Sequence, residues 1–151
     1  MGIFRPPRAI FFLMAYDKEM RMATVTEKKK SKLTPDEINL YWDAYFAAVD
    51  TLITAESKMQ ELESNAADLG ERSGYRANRL RIGADIELLR ARRIAFNAEQ
   101  SRITPPSQQI VDGIVKLVGL VAAEEAKRNR ADAIMKLATK AIDQFAAIQS
   151  S

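Results

Sequence analysis

TPDEINLYWDAYFAAVDTLITAESKMQELESNAADL, residues 34–69, is the stretch whose reading decides the fold. It opens with a complete helix start. Thr34 suits the N-cap, Pro35 suits the first helical position, and Glu37 completes a T-x-x-E capping box. Asp36 and Glu37 place negative charge at the positive end of the macrodipole. Apolar residues then recur as Ile38, Trp42, Tyr45, Val49, Leu52, Ala55, Met59, Leu62, Ala66 and Leu69, in steps of three and four. That is a coiled-coil-like seam with one short step at Leu52–Ala55, widened on one side by Phe46 and Ile53. Asp36, Asp43 and Asp50 recur on the other side as a wet acidic stripe that Glu61 and Asp68 continue.

Charge separates this stretch from the next. Residues 35–69 hold eight carboxylates and one lysine, Lys58, whereas residues 71–102 hold eight arginines, no lysine and four carboxylates. Gly70 and Gly74 interrupt the two blocks, and Gly70 suits the position just past a helix end. Ser73 then serves as the next N-cap. Two long helices of opposite charge joined by a short turn read as an antiparallel hairpin. The second helix, 73–102, is apolar on two faces: Tyr75, Ile82, Ile86, Leu89 and Phe96 on one, Leu80, Ala84, Leu88, Ala91, Ala95 and Ala98 on the other. A helix apolar on opposed faces is expected to be covered on both, which makes it the interior helix.

Ile103-Thr104-Pro105-Pro106-Ser107 breaks the chain before a third long helix, 106–149, since prolines are tolerated in a first turn. Its seam runs Ile110, Ile114, Leu117, Val121, Glu124, Arg128, Ala131, Met135, Ala138, Ile142 and Phe145. The charged stretch 124–130 is where this helix is expected to kink or to leave the bundle. The sequence thus predicts an all-α protein, a long antiparallel hairpin plus a third long helix forming a three-helix bundle over 34–151. Residues 1–33 read as a flexible basic segment with eight basic and three acidic residues up to Thr34.

The N-terminal segment holds a short apolar run, Ala9–Met14, well below the ~20 residues needed to span a bilayer. Met14 and Met22 offer alternative starts, so residues 1–21 read as an over-extended frame. The run leaves export open, but the expected location is cytoplasmic.

The 151-residue length fits one domain, and 47% hydrophobic content suffices for a core. The chain has neither cysteine nor histidine. Disulfides, thiolate chemistry, the usual zinc sites and any histidine base are excluded. A carboxylate metal site at Glu124, Glu125 and Asp112 is considered and set aside, and no cofactor is expected. The chain carries no phosphate-binding glycine loop and no nucleophile elbow. The reading is a non-catalytic interaction or assembly module.

Three surfaces compete for that role. Residues Ile110–Val121 are apolar nearly all round, and one hairpin cannot cover them. Val111, Ile114, Val115, Val118 and Val121 are therefore expected to drive self-association. Arg76, Arg79, Arg90 and Arg93 share one flank of the second helix and with Lys28–Lys30 could grip nucleic acid. The neighbouring carboxylates and the net charge of only +3 favour pairing within the protein instead. The stripe Asp36, Asp43, Asp50 suits an immunity or inhibitor type of protein that fills a basic site on an enzyme. The aromatic patch Tyr41, Trp42, Tyr45 and Phe46 could anchor a partner, but the favoured reading puts Trp42 and Tyr45 in the core with Tyr41 covering an edge.

Overall fold

The computed structural model describes residues 33–98 and 103–149. Readings that concern residues 1–32 lie outside the described residues. The helical unit is Thr34–Ser151. Among the described residues there are four α-helices and no strand: α1 Pro35–Ser64, α2 Leu69–Asn97, α3 Gln108–Ala123 and α4 Ala131–Gln149. A single 3-10 turn, Arg128–Arg130, leads into α4. The all-α class and the bundle packing are as the sequence predicts.

The start of α1 is the predicted one. Thr34 Oγ1 accepts from the Glu37 amide at 3.1 Å, and Glu37 Oε1 accepts from the Thr34 amide at 3.0 Å. The end is different. α1 stops at Ser64, and the turn is Asn65–Asp68 rather than Leu69–Gly74. Asp68, with extended backbone, accepts from the Glu71 amide at 2.8 Å and is the true N-cap of α2. Gly70 and Ser73 both lie inside the helix. Aspartate and serine are comparable caps, but only Asp68 has a glutamate three residues on: Glu71 Oε1 accepts from the Ala67 amide at 2.9 Å.

Contact pairs fix the directions. Tyr41 stacks on Phe96 and Glu63 binds Arg76 and Arg79, so α2 returns antiparallel along α1. Lys58 reaches the end of α3 at Ala122, while Tyr41 and Tyr45 meet Phe145 near the end of α4. Consecutive helices therefore alternate in direction, an up-down-up-down arrangement. α1 is the helix on which the others pack most heavily, while its outer face stays open. The expectation that α2 is interior fails: Leu80, Leu88 and Ile94 are exposed on it.

The third segment is two helices. α3 ends at Glu124, whose backbone is extended, and α4 starts afresh at Ala131. A single straight helix would have put Glu124 and Arg128 into the core. Breaking it lets Glu124 bind Arg130 through two hydrogen bonds of 2.7 and 2.8 Å and frees Arg128 to pair with Glu71 at 2.7 Å. Burying an unpaired charge would cost several kcal/mol, more than the turn of helix forgone.

The core is built on α1 and repeated small residues. Ala44, Ala48 and Ala55 are fully buried on it and let its neighbours approach closely. Leu52, Met59, Ile82, Leu89, Ile114, Val121, Ile134, Phe145 and Ile148 fill the space, each nearly or fully buried. A side chain of this kind contributes about 1.5–3 kcal/mol when removed from water. Thr51 is buried among them, and its hydroxyl donates to the Ala47 carbonyl at 2.8 Å. Tyr41 is fully buried and does not cover an edge, while Trp42, placed on the seam from sequence, is only partly buried.

Candidate interaction surface

Charge pairing in the hairpin is concentrated on one carboxylate. Glu63 accepts from Arg76 Nε at 2.7 Å and from Arg79 Nε at 2.6 Å. The two guanidinium hydrogen bonds pull its carboxyl down to about 2, against the desolvation that would raise it. Glu63 is not part of the acidic stripe. It lies five full turns after Tyr45, directly in line with it on the face that meets α2. That spacing was the available signal for it.

The predicted charge residues divide into two sets. Arg76 and Arg79 share a flank as expected, but Glu63 already engages both. Arg90 pairs with Glu87 of its own helix at 2.7 Å, a surface pair with both side chains largely in solvent. Arg93 lies 5.8 Å above the Tyr45 ring, and its Nε is buried with no hydrogen-bond partner among the described residues. Asp36, Asp43 and Asp50 are all exposed. None of them takes part in an ion pair among the described residues.

The predicted self-association set does not form a surface. Val111, Ile114 and Val121 are buried in the core, covered by α1 and α4, and Val118 is partly buried. Only Val115 is exposed, at 48%. The reading failed because it allowed the third segment only one hairpin as cover. Once the chain breaks at Glu124, α4 folds back and supplies the missing side.

Most of the exposed apolar bulk lies on the hairpin, although Ile110, Val115 and Leu120 of α3 are exposed too. Phe46 is 57% exposed and Ile53 44% on α1, and Ile94 is 60% exposed on α2. Phe46 is held in place by stacking on Trp42 at 5.9 Å and by an edge contact with Tyr45 at 5.3 Å. Leu80 and Leu88 lie on the outer side of α2. Sequence periodicity assigned Phe46 and Ile53 to the seam because both flank it, and a 3.6-residue period separates core from rim only to within a residue.

Among the described residues, no group of three or more His, Cys, Asp or Glu stands close enough to hold a metal ion. A shallow groove of about 460 Å³ runs between the end of α3 and α4, lined by Leu120, Glu124, Lys136, Leu137, Lys140 and Asp143. Asp85 faces Arg81 and Asp143, and burial raises its carboxyl above the ordinary range. No helix of the described residues is long and apolar enough to cross a membrane.

No family model, no curated protein and no solved structure matches this chain.

Proposed function

We propose that this chain is a non-catalytic helical assembly module that works by self-association. The observation that carries the reading is the exposed apolar bulk on one hairpin, with Phe46 held outward by its packing on Trp42. Such bulk held at the surface by a rigid helix is characteristic of association surfaces. The neighbouring charges that no described residue pairs give that surface a means of rejecting wrong partners. A cytoplasmic setting belongs to the same proposal, and a chain without cysteine is compatible with it.

Light scattering coupled to size exclusion tests the reading. A mass above one chain at micromolar concentration is expected, falling toward one chain as salt is raised. A single-chain mass at every concentration and salt level refutes it. The nucleic-acid alternative has less support, because two of its four arginines are already committed to Glu63.

A further inference from the structure

The open face of the hairpin carries three parallel rows. Taking 100° per residue, the first row is acidic, with Asp43 and Asp50 along the edge of α1 away from α2. The second is apolar, with Phe46 and Ile53 on the α1 crest and Trp42 and Val49 beside them. The third is basic, with Arg90, which pairs with Glu87 of its own helix, on the flank of α2 that borders this crest, and Arg93 beside it over the buried Tyr45 ring.

Heights along the rows are set by the antiparallel contacts. Arg93 is level with Tyr45, and Phe96 with Tyr41. Arg90, three residues before Arg93, is therefore level with Ala48. Asp43 and Asp50 bracket these two arginines, each about 3 Å away along the axis at 1.5 Å per residue. A side chain of arginine length spans that offset.

A surface with acid on one edge, base on the other and apolar residues between is complementary to itself in one orientation. A two-fold axis lying in the face and parallel to the helices exchanges the edges while keeping every height. Acid then meets base, and the crest meets the crest. A two-fold axis across the helices would set acid against acid. We infer that two copies of this chain pair through the open face of α1 and α2 about a two-fold axis parallel to the helices. Asp43 and Asp50 of one copy meet Arg90 and Arg93 of the other, and Phe46 and Ile53 meet their own counterparts. Such a contact is isologous, so it closes at the dimer. It also brings a carboxylate toward Arg93, which lies over the Tyr45 ring and whose buried Nε has no hydrogen-bond partner among the described residues. This inference rests on the self-association reading and gives it a geometry.

The absence of cysteine makes the test direct. In the full chain, Phe46→Cys is oxidised under mild conditions. Position 46 faces itself across the axis, so a disulfide-linked dimer is expected, since bridging needs Cα atoms within about 7 Å. Val115→Cys and Leu88→Cys, exposed elsewhere, are expected to remain monomeric on a denaturing gel. Charge provides the second arm, in the cysteine-free chain. Asp50→Arg and Arg90→Asp each place like charges across the face and are expected to weaken the dimer roughly tenfold or more. The two changes combined are expected to restore it to within about threefold, because both residues are exposed and the double swap recreates the pair.

A dimer that forms without the position-46 bridge and is indifferent to Asp50→Arg overturns the geometry and leaves the assembly reading standing. A monomer in which Cys at position 46 reacts freely with a thiol dye overturns both. A monomer in which that cysteine is protected likewise overturns pairing by a second copy.

Discussion

Lys58 Nζ donates to the carbonyl of Ala122 at 3.1 Å and also to the carbonyl of Glu124. The only lysine of the acidic block thereby closes the open end of α3, 64 residues away in sequence. Helix ends leave carbonyls without partners, and a cation there also complements the macrodipole. Lys58→Met keeps the length of the side chain and removes the donor. A loss of about 1–2 kcal/mol is expected, seen as a lower urea midpoint with unchanged slope. Amide exchange should quicken first at the end of α3 and in the 124–127 loop.

Glu63 ties stability to acid. Its folded carboxyl titrates at about 2, against an ordinary value of 4.5. A depressed carboxylate contributes stability that is fully present above the ordinary value and is lost as pH falls through the folded one. Glu63→Gln removes this contribution. At neutral pH the variant is expected to be the less stable protein. The gap should close between pH 4.5 and 2 and vanish below it. Denaturation curves for the two proteins across that range measure the gap, and a constant difference contradicts the assignment.

These two residues show where sequence reading reached and where it stopped. The start of α1, the antiparallel hairpin and one buried face of α2, that of Tyr75, Ile82, Ile86 and Leu89, follow from periodicity and capping, which act within a few residues. Lys58 and Glu63 act between helices, and their partners depend on which helix the others pack on. That helix is α1, where Ala44, Ala48 and Ala55 line one buried face and let its neighbours approach closely. The break at Glu124 was visible as a polar interruption of the seam. Its consequence, that α4 covers Val111, Ile114 and Val121, depends on a reversal of direction that periodicity does not encode.

The turn between the first two helices supplies a local comparison. Asp68 caps α2 through the Glu71 amide, whereas Ser73 lies inside the first turns of that helix. Asp68→Ala is expected to cost about 1 kcal/mol, and Ser73→Ala to cost nothing or to stabilise slightly, since alanine is the better helix former. Thermal melts of the two variants against the parent give the order. The reverse order returns the turn to Gly70–Gly74.

Tyr41 gives the core an alkaline limit. It is fully buried, stacks on Phe96 at 3.9 Å and meets Phe145 at 5.5 Å. Burial, with the neighbouring Tyr45, pushes its phenol up to about 12 from an ordinary 10, although Arg92 and Arg93 pull the other way. The fold therefore favours the neutral ring. Its contribution is complete below pH 10 and is lost as pH rises through about 12. Tyr41→Phe keeps the stacked ring and cannot ionise, so stability should fall less steeply than in the parent over that window. Tyr41→Ala removes the ring and is expected to cost about 3–5 kcal/mol at neutral pH. Denaturation at neutral and alkaline pH separates the two effects: a phenylalanine variant with the parent's alkaline slope would place the titrating group elsewhere, whatever the alanine variant costs.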